Sequence, residues 1–338
     1  MVKVGINGLG RIGRASLKII LETPGVEFVG ANDIAPLDNI AYLIRYDTVY
    51  GRYDKSVEVD GSNLVIDGES YPYFSERDPA NIPWDEVGAE IVIESTGFFR
   101  TQEAAAKHIQ AGAKTVVISA PGKSEETPTV VHGVNTEDGM VQIFSCASCT
   151  TNCIAPVVEV INRRIGVVKA IMTTIHGYTS TQALVDGPGG KDFRRGRAAA
   201  ANLVPTSTGA AIATTKVVPE LAGKFDGVAV RAPVPAGSIA DIVFLTERDT
   251  TVEEVNQILR EEAATDRYKE VLAVSDEPLV SSDILGDAHG SIVDAGMTNV
   301  VDGNLVKVMS WYDNEWGFTA QMIRQVVAVA KEREEFSL

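Results

Sequence analysis

The sequence predicts an α/β protein in two parts. Residues 1–148 read as a doubly wound, mostly parallel sheet, and residues 149–316 as an α+β domain with a mixed or antiparallel sheet. Two observations carry this. Short apolar runs alternate with helical patterns up to about residue 148. Beyond it, longer β-rich runs take over, with helical stretches between them. A final helix within 317–338 is expected to return and pack on the first part.

Taken in order, Val2 to Ile6 is a buried strand. Residues 11–22 form a helix, with Ile12, Ser16, Ile19 and Ile20 at helical spacing and Ala15 filling the same stripe. Val26 to Ala31 is the second strand and Ile91 to Ile93 a later one. An alanine-rich helix over 101–112 follows, with His108 expected on its surface. Val116 to Ile118 and Val130-Val131 continue the alternation. In the second part Ile154, Val157, Val158, Ile161 and Ile165 make an apolar helical stripe. Pro156 inside it should kink that helix or shift its start. Strands are expected at Val167–Thr174, Gly227–Ala232, Ser238–Thr246 and Leu305–Trp311, and helices at 209–220 and 252–264. The turn-rich Asp186–Arg197 run between them is too long to be idle in a compact domain. In the last helix Ile323, Val326, Val327 and Ala330 share one face.

Composition bounds the function. A chain of 338 residues, 45% hydrophobic and 22% charged, is that of a soluble globular protein large enough for two domains. The net charge of 30 − 46 = −16 opposes nucleic-acid binding and requires any phosphate site to be built locally. No apolar run reaches the ~18 residues of a membrane span, and no signal peptide is visible at the start. All three cysteines (Cys146, Cys149, Cys153) fall in one window, which suits neither a disulfide framework nor a metal cluster. A reducing cytoplasm and no metal are therefore expected.

Gly8-Leu9-Gly10-Arg11-Ile12-Gly13 is a G-x-G-x-x-G run between a strand and a helix, and Asp33 ends the second strand 20 residues after Gly13. That is the context of a Rossmann-type dinucleotide site. The glycines let the backbone approach a pyrophosphate, and the helix N-terminus supplies N–H groups and a positive dipole end. A carboxylate at Asp33 would accept from the adenosine ribose and repel a 2′-phosphate, favouring NAD over NADP. Arg77, in Glu76-Arg77-Asp78-Pro79, is a candidate for the adenine side, although alone it reads as a solvated charge.

Cys149 lies at a strand-to-helix junction, and His176 ends a strand-like run 27 positions later. A thiol there would be activated by the helix dipole and by a histidine within hydrogen-bond reach. Cys146 and Cys153 read as small core residues. Short hydroxyls and one arginine surround this pair in sequence: Ser148, Thr150, Thr179, Thr181, Thr208-Gly209 and Arg231. They are groups that phosphate binding uses, and two sets of them suit a substrate with two anionic positions.

These residues sit in Asn7–Arg14, Ser119-Ala120-Pro121, Ala147–Cys153, His176–Thr179, Ser207–Ala210, Arg231-Ala232-Pro233 and Trp311–Glu315. With them the chain resembles phosphorylating glyceraldehyde-3-phosphate dehydrogenases over essentially its whole length. The resemblance implies that Cys149 attacks the aldehyde of glyceraldehyde 3-phosphate, with His176 as general base. A hydride passes to NAD, and inorganic phosphate cleaves the resulting thioester to 1,3-bisphosphoglycerate. It further implies that Thr179, Thr181 and Arg231 hold the substrate phosphate, and that Ser148, Thr150, Thr208 and Gly209 hold the attacking phosphate. Asn314 would fix the nicotinamide, and Gly8, Gly10, Gly13, Arg11, Ile12, Asp33, Arg77 and Ser119 the rest of NAD. A homotetramer is implied, with the 178–200 loop reaching a neighbouring subunit. Two departures stand out. Cys146 replaces the family's usual asparagine, and Asp33-Ile34-Ala35-Pro36 differs beside the ribose, which leaves room for some NADP use. Erythrose-4-phosphate dehydrogenase, a hydrolytic relative, shares the thiol and the histidine and is set apart by its independence of phosphate.

Overall fold

The structure is a computed structural model and describes residues 1–135 and 141–336. The expected domain spans 1–148 and 317–338 therefore include positions outside the described residues, at 136–140 and 337–338. The chain divides into two compact units: Met1–Val130 with Thr136–Ala147 and Met322–Leu338, and Val131–Asn135 with Ser148–Gln321.

The first unit holds β1 (Val2–Asn7), α1 (Arg11–Ile20), β2 (Val26–Asn32), α2 (Leu37–Arg45) and the short ribbon β3 (Tyr46–Asp47) with β4 (Gly51–Arg52). Then come β5 (Val57–Asp60), β6 (Asn63–Ile66), β7 (Glu69–Phe74), β8 (Ile91–Glu94), α3 (Gln102–Gln110), β9 (Thr115–Ile118) and β10 (Ile143–Ser145). Among the described residues the main sheet runs β10-β9-β8-β1-β2-β7-β6-β5. Neighbours from β10 through β7 pair in parallel, while β7, β6 and β5 form an antiparallel meander. The parallel, doubly wound reading thus holds, with an antiparallel extension at one edge. Central strands β8 and β9 are buried at every position, as near-continuous apolar runs demand. The expected Val130-Val131 strand is absent: Thr129 and Val131 form isolated bridges, and Val130 lies between them outside any strand.

One expectation fails here. His108 lies fully buried on α3, not on its surface. Its ring meets Trp84 and Glu94, so the alanine-rich face is an inward one.

The second unit holds α4 (Cys149–Arg164), β11 (Val167–Gly177), β12 (Val204–Ser207), α5 (Ala210–Val217), β13 (Phe225–Ala232), β14 (Ser238–Thr246) and α6 (Val252–Ala263). β15 (Leu272–Ser275), β16 (Ser291–Asp294), β17 (Asn299–Val301) and β18 (Leu305–Tyr312) complete its sheet, and α7 (Trp316–Phe336) follows. The order is β12-β13-β11-β14-β18-β16-β15, with β17 also on β18. β11 with β13 and β15 with β16 are parallel and the other pairs antiparallel, so the sheet is mixed. Alternation along β18 turns Val306, Val308, Ser310 and Tyr312 inward. α4 covers that face with the predicted stripe, and Ile154, Val157, Val158 and Ile161 are completely buried. The helix starts at Cys149 and runs through Pro156 unbroken. Asp313 caps α7: one carboxylate oxygen accepts from the N–H groups of Glu315 and Trp316, both at 2.9 Å.

Candidate active site

Chain direction places the thiol. Ser148 is the N-cap of α4, in extended conformation, and its hydroxyl accepts from the Thr151 N–H at 3.1 Å. Ala147, just before it, adopts φ of 60°, a left-handed conformation costly for a residue with a Cβ. Cys149 is thus the first residue of a 16-residue helix and sits at its positive dipole end.

Strand register places its partners. His176 on β11 pairs with Arg231 on β13. Cys149 Sγ lies 3.3 Å from His176 Nε2. On the other side of the ring, Nδ1 is 2.6 Å from the Gly177 carbonyl and 2.6 Å from Arg231 Nη1. A single ring nitrogen cannot donate to the carbonyl and accept from the guanidinium at once. Arg231 has the same carbonyl as an alternative acceptor, at 3.2 Å.

Electrostatics follow from this packing. Burial, then the Arg231 charge, push the His176 imidazole down to about 3, so the ring is neutral. Burial raises the Cys149 thiol, against the lowering pull of Arg231 and the hydrogen bonds around Thr150. Burial thus works against both charged forms of the pair, with Arg231 favouring the thiolate and disfavouring the imidazolium. Arg231 occupies the side from which an imidazolium would be stabilised. The geometry is that of a thiol within hydrogen-bond reach of an uncharged imidazole. Cys153 is fully buried and pushed up to about 12, and Cys146 is buried and pushed higher still by the same cause.

Three further residues, not singled out in the sequence, tie the site together. The Tyr312 hydroxyl is fully buried between Thr150 Oγ1 at 2.9 Å and Thr174 Oγ1 at 2.8 Å. Its ring meets the His176 ring edge-on at 5.9 Å. Ser238 accepts from the Gly177 N–H at 3.1 Å and donates to Asn314 Oδ1 at 2.8 Å. Tyr312 and Ser238 are register partners on β18 and β14. Arg195 lies close enough for its charge to disfavour that of Arg231. Each had a faint signal: a tyrosine and a serine at strand ends, and one arginine of a pair in a long turn.

The anion candidates are placed unevenly. Thr179 and Thr181 join hydroxyls at 2.8 Å, and Thr208 Oγ1 accepts the Ala210 N–H at 3.2 Å where Gly209 opens α5. Arg231 is drawn onto His176 in place of Thr179 or Thr181.

In the first unit, Gly8, Gly10, Asp33 and Arg77 line a cavity of ≈ 560 Å³. Gly8 and Gly13 are required by the backbone, while Gly10 has open space around it. A Cβ on Gly13 would stand 1.8 Å from the Gly8 carbonyl oxygen, and Gly8 itself has φ of +93°. Asp33 accepts from the Leu9 N–H at 2.6 Å and the Ala35 N–H at 3.0 Å, which locks the turn while the residue lines the cavity. The Arg11 side chain turns to Asp47 and the Tyr50 ring. The Ser119 N–H donates to the Glu94 carbonyl at 3.0 Å. Bare backbone at a helix start with a carboxylate at the next strand end fits a dinucleotide.

Two family models match the chain. One, described as glyceraldehyde 3-phosphate dehydrogenase, NAD binding domain, covers residues 2–102. The other, described as glyceraldehyde 3-phosphate dehydrogenase, C-terminal domain, covers residues 148–314. The chain belongs to the glyceraldehyde-3-phosphate dehydrogenase family. It is 48% identical over 332 residues to glyceraldehyde-3-phosphate dehydrogenase of Geobacillus stearothermophilus, covering 97% of this chain and 98% of that one. It is 48% identical to glyceraldehyde-3-phosphate dehydrogenase 1 of Bacillus subtilis and 46% to the Zymomonas mobilis enzyme, each over 98% of this chain and 98% and 99% of theirs. Membership makes the chain an NAD-dependent oxidoreductase, and the glycine cradle and Asp33 are the part of it that suits NAD. Among the described residues no helix is long and apolar enough to cross a membrane, and no cluster could hold a metal ion.

Proposed function

We propose that this chain oxidises glyceraldehyde 3-phosphate to 1,3-bisphosphoglycerate with reduction of NAD, through a thiohemiacetal and a thioester on Cys149. The observation that carries this is the 3.3 Å approach of Cys149 Sγ to His176 Nε2 at the start of α4. With Nδ1–H on the Gly177 carbonyl, Nε2 presents its lone pair to the thiol. Substrate phosphate competing for Arg231 favours that tautomer by drawing the guanidinium off Nδ1. Sulfur then attacks the aldehyde carbon, the thiol proton passes to His176, and the helix start faces the developing oxyanion. NAD, when bound, accepts the hydride. Inorganic phosphate adds to the thioester carbonyl and expels the Cys149 thiolate, which completes the cycle.

Thr179, Thr181 and Arg231 take the substrate phosphate in this reading, with Arg195 adding positive field. Ser148, Thr150, Thr208 and Gly209 take the attacking phosphate, with Thr150 held by Tyr312. Asn314, oriented by Ser238, holds the nicotinamide amide. Asp33, Arg77, Ser119 and the backbone of Gly8 to Gly13 hold the remainder of NAD. Residues 1–148 with 317–338 form the NAD-binding domain and 149–316 the catalytic one. Three free thiols suit a reducing cytoplasm. A homotetramer is supported by an apolar groove of ≈ 660 Å³ on the second sheet, where Ile171, Ile212 and Leu305 are exposed.

Cys149→Ser tests the reading. It should abolish turnover while NAD still binds with its wild-type affinity. Turnover above a few per cent in that variant would remove Cys149 from the chemistry.

A further inference from the structure

Behind the nucleotide cavity of the first unit lies a polar cluster that the proposed chemistry does not use. Glu94 ends β8 with 1% of its surface exposed, and His108 on α3 is wholly buried. Fixed donors and acceptors at the cluster's edges decide where every proton sits. The Glu76 backbone is the first anchor. Its N–H donates to Asn32 Oδ1 at 2.7 Å and its carbonyl accepts from Asn32 Nδ2 at 2.9 Å. Asn32 Nδ2 then also donates to Asn7 Oδ1 at 2.8 Å, which turns Asn7 Nδ2 to Glu94 Oε2 at 2.6 Å. Trp84 is the second anchor, because an indole can only donate. Its Nε1–H goes to His108 Nδ1 at 3.0 Å, so that nitrogen carries no proton. The other ring nitrogen, Nε2, donates to Glu94 Oε2 at 3.0 Å. The 3.5 Å approach of Asn7 Nδ2 to His108 Nε2 is two donors converging on one oxygen. Thr96 is the third anchor. Its backbone N–H donates to Glu94 Oε1 at 2.8 Å. Its hydroxyl accepts from the Phe98 N–H at 3.1 Å and donates to the same Glu94 oxygen.

Four donors thus meet the two oxygens of one buried carboxyl group. No lysine or arginine is among them. From this we infer that Glu94 is a positioning residue for the cofactor: a buried carboxyl group whose hydrogen bonds set both walls of the nucleotide cavity. Asn7 and Asn32 form one wall, and through Glu76 they hold the backbone beside Arg77. Thr96 and Phe98 form the other. Glu94 itself reaches neither wall's surface and acts only through these neighbours. The inference rests on reading that cavity as the NAD site.

Glu94→Gln keeps the shape but must turn an amide N–H₂ toward either the Asn7–His108 pair or the Thr96 pair. Two donors then lose their acceptor in either orientation. NAD affinity of the full-length protein, measured by calorimetry, should fall about tenfold or more. KM for NAD should rise more than kcat falls, and alkylation of Cys149 without NAD should proceed at the wild-type rate. Asp33→Ala, run alongside, reports on the cavity itself. If Asp33→Ala weakens NAD and folded Glu94→Gln binds within twofold of wild type, the positioning role is overturned. If neither variant weakens NAD, the cavity reading fails and takes this role with it. Should Glu94→Gln not fold, two His108 variants decide, since His108 does not line the cavity. His108→Leu removes one of the four donors and should weaken NAD several-fold. His108→Gln restores an N–H toward Glu94 and should recover most of that loss. Equal, wild-type affinity in both overturns the inference.

Discussion

His176 makes stability depend on pH, and the size of its contribution can be worked from the site. The ring is 4% exposed, with Cys149 on Nε2, Arg231 on Nδ1 and Tyr312 against its edge. Burial and Arg231 hold its folded value near 3, against 6.5 when unfolded. The folded value is depressed, so the contribution is complete above pH 6.5 and is lost as pH falls toward 3. At pH 5 the unfolded imidazole is protonated and the folded one is not, which removes about 2 kcal/mol from folding. His176→Asn cannot titrate and escapes that loss. Urea denaturation of both proteins at pH 7.5 and pH 5 isolates the effect, because other titrating groups cancel in the difference. Wild type should lose about 2 kcal/mol more than the variant between the two pH values. Arg231→Gln should recover part of the gap, as the second cause of the shift. Parallel loss in wild type and His176→Asn would show that the ring titrates normally and that the description of a buried, uncharged imidazole is wrong.

Other consequences are open to direct measurement. Tyr312→Phe orphans the Thr150 and Thr174 hydroxyls around a buried site, and should cost about 1–3 kcal/mol of stability. It should also raise KM for phosphate more than KM for NAD; an unchanged phosphate KM would detach Thr150 from the phosphate site. Asp33→Ala should raise the rate with NADP relative to NAD, and an unchanged cofactor ratio would show that this carboxylate does not meet the ribose. A short iodoacetamide pulse followed by peptide mapping should label Cys149 ahead of Cys146 and Cys153, which are buried and pushed far up. Equal labelling of the three would contradict the distinction between them.

What the sequence revealed and what it hid have physical causes. Strong periodicity exposed β1, α4 and β14, because one face of each is apolar and buried; in α1 the expected Ile12 and Ile19 are only half-buried and Leu17 takes the core side instead. The strands β5 and β6 carry polar residues on open faces and β12 contains a proline, so their pairing shows only in three dimensions. The first helix has its glycines and Asp33 within one βα unit, so local context sufficed to read it. The active-site network crosses β11, β13, β14 and β18, and no local pattern announces that Arg231 will lie beside His176. The direction of the thiol shift was missed for the same reason. A helix dipole is visible in a sequence, but desolvation depends on everything packed around the sulfur. His108 misled because alanine-rich spacing looks alike whether its face meets solvent or a buried carboxylate.

The central claim is a thioester on Cys149 that phosphate must release. Pre-steady-state NADH formation from glyceraldehyde 3-phosphate, with and without inorganic phosphate, tests it most directly. Without phosphate the account predicts a single burst of at most one NADH per Cys149, then near arrest, with the acyl group found on Cys149 by mass spectrometry. Adding phosphate should restore steady turnover. Sustained turnover at an undiminished rate without phosphate would contradict it.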